Sequence, residues 1–156
     1  GGGEMIDKVT KDGFTLNDVP WRFEAGTPAI AEVISLKEAI KFIQDTGIEN
    51  VHQYETELIN YAQERLLEID NLELYSPIDD KGPTLTFNIE KIHSYDFTKV
   101  LDQIGVAIRS GHHCAQPLLD KFQISSSSRA SLAVYNSIDE VDRFIYAINK
   151  AIKILL

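Results

Sequence analysis

The chain has 156 residues, 44% of them hydrophobic, and a formal net charge of -9 from 24 acidic and 15 basic side chains. That length suits one globular domain with a substantial core, and the negative balance argues against binding to nucleic acid or to an acidic membrane surface. A single cysteine excludes an internal disulfide, no apolar run approaches the ~20 residues that span a bilayer, and a signal peptide is lacking, so a soluble cytoplasmic protein is expected.

In chain order, residues 1–26 are rich in turn formers and read as irregular, ending in Pro20-Trp21-Arg22-Phe23-Glu24-Ala25-Gly26. By composition, the opening Gly1-Gly2-Gly3 reads equally as native or as an appended scar. A first helix is expected to start with Thr27 as N-cap and Pro28 at its first position, and to stop at Gly47. Ile30, Val33, Ile34, Ile40 and Ile43 keep to one of its faces. A second helix is expected from Asn50 to Ile69, with Asn50 and Gln53 resembling a capping box. Its apolar stripe of Val51, Tyr54, Leu58, Ala62 and Leu66 lies opposite a mainly acidic face.

The period then changes to two. Leu72-Glu73-Leu74-Tyr75 and Thr84-Leu85-Thr86-Phe87-Asn88-Ile89 alternate like strands, parted by Ser76-Pro77 and Lys81-Gly82-Pro83. Tyr95 to Ile104 has helical spacing and ends at Gly105. Val106-Ala107-Ile108 reads as a brief strand leading into a loop, and Ser131 to Tyr135 as a further strand. Ser137 and Glu140 form a capping box before a final helix bearing Val141, Phe144, Ile145, Ile148, Ile152 and Leu155. This order predicts an α+β fold, a mostly antiparallel sheet with helices packed on one side. The first helices and the segment before them need not belong to it.

The lone thiol, Cys114, sits in Ile108-Arg109-Ser110-Gly111-His112-His113-Cys114-Ala115-Gln116-Pro117-Leu118. A lone cysteine is often a small buried hydrophobe, but an arginine and two histidines within five residues favour the nucleophilic thiolate, and glycine and proline hold the stretch as a loop. A metal site of His112, His113 and Cys114 is disfavoured because adjacent side chains diverge. A papain-like couple with His52 or His93 lacks a local signature. Arg129, at the start of an apolar strand, reads either as a solvated edge residue or as a guanidinium presented to a carboxylate. Glu24-Ala25-Gly26-Thr27-Pro28 reads as a turn and capped helix start, or as a phosphate site at a helix N-terminus.

The run Arg109-Ser110-Gly111-His112-His113-Cys114-Ala115-Gln116-Pro117-Leu118 closely resembles the cysteine loop of the SufS-like (group II) cysteine desulfurases. These belong to the class V aminotransferase family of pyridoxal 5'-phosphate (PLP) enzymes. Gly1-Gly2-Gly3-Glu4-Met5-Ile6, Trp21-Arg22-Phe23-Glu24-Ala25-Gly26-Thr27-Pro28, Arg129-Ala130-Ser131-Leu132-Ala133-Val134-Tyr135-Asn136 and Glu140-Val141-Asp142-Arg143 resemble further family blocks in family order. The resemblance covers essentially the whole chain and makes the opening glycines native. It implies that residues 27–156, with their leading helices, form the small C-terminal domain of a fold-type I PLP enzyme. Residues 1–26 would be the connecting segment from a large PLP-binding domain that this chain lacks.

The resemblance also implies a reaction, the conversion of L-cysteine to L-alanine with the sulfur left as a persulfide on the protein, serving iron–sulfur cluster assembly. By motif position Cys114 would be the nucleophile and persulfide carrier, Arg129 would bind the substrate carboxylate, and Arg109 would line the same pocket. Thr27 would hydrogen-bond the phosphate of PLP held mainly by the other subunit of a homodimer. The short loop resembles that of enzymes stimulated by a SufE- or SufU-like sulfur acceptor. Two departures stand out. The family's cofactor lysine belongs to a Ser-x-His-Lys motif ahead of the glycine block, and none of the ten lysines here has that context, so the chain alone is expected to be inactive. Ser125 to Ser128 is also more serine-rich than the family's small-residue segment. Alternative readings are a selenocysteine lyase or another class V lyase, and a free-standing domain that carries sulfur or binds a partner.

Overall fold

A computed structural model describes residues 2–156; Gly1, the first of the opening glycines, lies outside the described residues. The chain divides into two compact units, residues 1–48 and 49–156. Among the described residues no helix is long and apolar enough to cross a membrane.

The first unit is more ordered than its composition suggests. Strands β1 (Ile6–Val9) and β2 (Phe14–Leu16) pair as an antiparallel hairpin, with Ile6 opposite Leu16 and Val9 opposite Phe14. Thr10 closes the turn by donating its N–H to the Gly13 carbonyl at 2.8 Å and its hydroxyl to the same oxygen at 3.1 Å. Nearly every side chain of the hairpin is exposed, so no alternation of polarity marks the strands. Two 3-10 turns, Gly3–Met5 and Trp21–Phe23, lie together, and Met5 N–H donates to the Glu24 carbonyl at 3.0 Å. Gly3 stands at φ +57, and a Cβ there would come within 2.9 Å of the Gly26 Cα, so only glycine fits this close approach.

Helix α1 (Ile30–Thr46) starts three residues beyond Thr27, which is therefore not its N-cap, and Pro28 is not its first residue. Ala29 holds that place at φ -70, ψ 68, and Ile30 N–H bonds the Pro28 carbonyl at 2.8 Å. This inverse γ-turn carries Thr27 and Pro28 off the helix. Gly47 ends α1 as expected, at φ 86, with its N–H shared by the Ile43 and Gln44 carbonyls. No residue of α1 is buried; Val33, Ile34 and Ile40 face outward.

The second unit holds the core. Strands β3 (Leu72–Leu74), β4 (Thr84–Ile89), β5 (Arg109–Gly111) and β6 (Ser127–Ser131) form one antiparallel sheet in the order β3-β4-β6-β5. The period-two pattern of β4 sends Leu85, Phe87 and Ile89 to one face, where Ala130 of β6 joins them. Against that face pack α2 (Ile48–Leu67) through Leu58, Ile59, Ala62 and Leu66, α3 (Ser94–Gln103) through Phe97 and Leu101, and α5 (Ile138–Leu155) through Val141, Phe144 and Ile148. Phe87 meets Phe97 and Phe144 at 6.2 Å in edge-on geometry. The α+β class, the antiparallel sheet and the packing of its long helices on one face agree with expectation.

Four local expectations fail. The second helix begins at Ile48, so Asn50 lies within its first turn and is not a cap. Val106 to Ile108 do not pair: Val106 N–H bonds the Leu101 carbonyl at 2.9 Å, which holds the chain to the end of α3, and it reaches the sheet only at Arg109. The last strand is the serine segment 127–131, not 131–135. Ser128 stands opposite Phe87 in the ladder, where a small side chain accommodates the ring, and Leu132 N–H turns away to the Pro83 carbonyl at 2.9 Å. Finally a short helix, α4 (Gln116–Phe122), follows the cysteine, with Pro117 in its first turn, and lies over the sheet face opposite the other helices.

Candidate active site

The ladder brings the two arginines together. Arg129 of β6 is paired with Thr86 of β4 on one side and with Arg109 of β5 on the other, so all three stand in one row on the face away from the core. Like charges directly opposite each other on a sheet cost roughly 0.2–1 kcal/mol. Among the described residues no carboxylate forms a salt bridge with either guanidinium. Arg109 is exposed; Arg129 is half-buried, and its Nε is enclosed without a hydrogen-bond partner. Two guanidiniums in a row with nothing to neutralise them make a seat for an anion, above all for a planar carboxylate.

Further along the same face the orphaned atoms multiply. Asn88 Oδ1, Ser127 Oγ and His113 Nδ1 are each enclosed without a partner, as is Arg129 Nε. Buried polar atoms are nearly always satisfied, so a concentration of exceptions on one face marks a place built to meet something else. Ser127 also lines a cavity of about 230 Å³ beneath α4, with Tyr75, Thr84, Thr86, Leu119 and Phe122. Burial, and then a hydrogen bond to Glu73 at 2.8 Å, push the Tyr75 hydroxyl up to about 12, so it stays protonated with its proton given to the Glu73 carboxylate.

Cys114 lies just past the end of β5, with its thiol exposed. His112 O accepts from Ala115 N–H at 2.8 Å, and the two residues between stand at φ 52 (His113) and φ 58 (Cys114). This is the φ pattern of a type I′ turn, which normally calls for Asn and Gly. A side chain held in the left-handed region costs roughly 1–2 kcal/mol. Cys114 N–H donates to Nδ1 of His112 at 3.0 Å, closing the turn a second time. The thiol is thus displayed on a short, strained, doubly closed turn.

His113 joins the turn to the sheet. Its Nε2–H donates to the Ser127 carbonyl at 3.0 Å, which leaves the unpartnered Nδ1 as the bare nitrogen. Burial, chiefly, and the charges of Arg129, Arg109 and His112 hold the ring below the usual imidazole range, against the opposite pull of the Ser127 bond, and so favour its neutral form. Neither this anchor nor Ser127 and Asn88 was singled out by residue type. The doubled histidine before the cysteine and the serine run were the only signals.

Of the other candidates, His93 caps α3, its Nδ1 accepting from Tyr95 N–H at 3.3 Å, and His52 is exposed on α2. Thr27 belongs to the first unit, where its side chain is exposed beside Gly26.

The class-V aminotransferase family profile matches residues 1–144. A cysteine desulfurase of Haloferax volcanii is 46% identical over 151 residues, which are 96% of this chain and 35% of that protein. A probable cysteine desulfurase of Synechocystis is 46% identical over 156 residues, 98% of this chain and 37% of its own length. The chain thus spans a little over a third of the curated relatives it matches. Among solved structures, the Escherichia coli cysteine desulfurase CsdA, in an S-sulfonic acid form, superposes with a TM-score of 0.87 at 34% identity, over 100% of this chain and 39% of that one. The apo cysteine desulfurase of Thermococcus onnurineus does so at 0.83 and 36%, over 97% of this chain and 38% of its own. With its antiparallel sheet, its displayed thiol and the family match over most of its length, the chain belongs to the class-V aminotransferases.

Proposed function

We propose that this chain supplies the thiol half of a cysteine desulfurase site. The observation that carries the reading is the exposed Cys114 turn at the end of β5, the strand whose Arg109 stands opposite Arg129 of β6 with no carboxylate between them. Arg129, with its enclosed Nε, takes the carboxylate of L-cysteine, and Arg109 adds a second positive group to the same seat. The Cys114 thiolate attacks the substrate sulfur. The new S–S bond forms as the substrate carbon–sulfur bond breaks, the electron pair stays with carbon, and a proton completes it as L-alanine. The balance is protein thiol plus L-cysteine to protein persulfide plus L-alanine.

PLP suits this chemistry because, when bound, it supplies the electron sink that lets the carbon–sulfur bond break. The residues present fit the margin of such a site. The exposed Thr27 hydroxyl beside Gly26 suits one contact to a phosphate, although the helix-terminus argument for it is lost because α1 starts at Ile30. The cofactor lysine is not among the residues here, so the reaction is that of a protein also carrying the portions of these relatives that the chain does not span. The reading extends to a cytoplasmic homodimer in which residues 1–26 connect to the PLP domain. It also includes a SufE- or SufU-like acceptor that draws the persulfide from the exposed turn toward iron–sulfur clusters.

The test is Cys114→Ala in the complete enzyme with PLP and L-cysteine. No persulfide is expected on the protein by mass spectrometry, with the cofactor absorbance retained. A persulfide still present on the variant sinks the assignment.

A further inference from the structure

We propose that His113 is a positioning residue for Cys114: its Nε2–H, bonded to the Ser127 carbonyl at 3.0 Å, holds the thiol-bearing residue in its left-handed turn. The inference rests on the reading of Cys114 as the nucleophile, and adds the device that fixes where its sulfur points.

Two successive residues with side chains at positive φ need an external restraint. Asn and Gly fill such turns because they tolerate that backbone; His enters it less readily than Gly, and Cys has no preference for it. Pairing between β5 and β6 stops at Gly111 and Ser127, so the ladder does not hold the two residues that follow. The anchor bond takes over there. It lands on the residue at which pairing ends, and that residue is fully buried in a central strand between β4 and β5. The imidazole therefore ties a mobile kind of structure, a two-residue turn, to an immobile one. Because the Cys114 backbone follows directly from the anchored residue, the thiol is fixed relative to Arg129, two residues beyond Ser127 on the same face of β6. Geometry of this kind matters because small misplacements of a reacting atom cost large factors in rate.

Asn and Gln separate the anchor from mere backbone tolerance. The Gln amide nitrogen reaches about as far from the backbone as Nε2, whereas that of Asn matches Nδ1 and stops short of Ser127; yet Asn adopts positive φ far more readily. His113→Gln, His113→Asn and His113→Ala are compared in the complete enzyme by hydrogen exchange over residues 112–118, with the core around Phe97 and Ile148 as control, and by persulfide formation from L-cysteine. In the Ala and Asn variants about a tenfold or greater loss is expected in both local protection and kcat. KM should stay within about twofold, since the carboxylate contact lies on β6. The Gln variant should recover most of both. An Asn variant equal to the parent overturns the proposal, because tolerance of positive φ would then suffice. So does a loss of local protection with kcat unchanged, or an equal loss of protection in the core. Cys114→Ser in the same assay keeps the two ideas apart: a persulfide found on it would end the functional reading and leave the exchange result as a separate fact about the turn.

Discussion

Protonation of His113 is opposed first by burial and then by the charges of Arg129, Arg109 and His112, so its value in the folded protein lies below the 6.5 of a free imidazole. Above 6.5 the ring is neutral in both folded and unfolded chains, and its contribution to stability is fully present. As pH falls through 6.5 the unfolded chain takes up the proton first, and stability declines until the folded ring also titrates. Urea midpoints measured from pH 7 down to about pH 5 should therefore fall more steeply for the parent than for His113→Gln, which has nothing to protonate there. Equal slopes would show that the ring is not held neutral. The exposed loop that carries Cys114 was legible because its neighbours in sequence are also its neighbours in space. The row Thr86–Arg129–Arg109 was not, because cross-strand register is set by residues far apart in the chain.

Helix α5 was the most legible element because its start signal is entirely local. The Ser137 hydroxyl accepts from Glu140 N–H at 3.3 Å, and a Glu140 carboxylate oxygen accepts from Ser137 N–H at 2.9 Å. Ser137→Ala removes half of this box and should lower stability by about 1 kcal/mol, read as a shift of the urea midpoint at unchanged slope. A change within error would mean that water caps the helix as well as the hydroxyl does. Elements that depend on distant partners were hidden. Strand β6 has no apolar alternation, because two of its buried residues are Ser127 and Ser128, set between neighbouring strands on both sides. Helix α4 was hidden by its own proline, which read as a loop signal although Pro117 sits in the first turn, where its missing N–H costs nothing.

Every buried residue among those described lies between Leu58 and Ala151, within the second unit. A chain of residues 49–156 alone should therefore unfold cooperatively at close to the parent's thermal midpoint, since removing the first unit takes no buried residue from the core. A non-cooperative melt would show that the core depends on residues 2–48. The fold class was legible at this scale because binary patterning and element order decide it. The facing guanidiniums of β5 and β6 carry a thermodynamic consequence for the molecule. The native sheet presents a doubly cationic seat that the unfolded chain does not have, so any small carboxylate that occupies it is linked to folding. At about a hundred times its dissociation constant such an anion adds about 2.7 kcal/mol. With L-alanine titrated at constant ionic strength, the melting temperature should climb for the parent and stay level for Arg129→Ala. The protein's heat resistance then becomes a gauge of how full its carboxylate seat is.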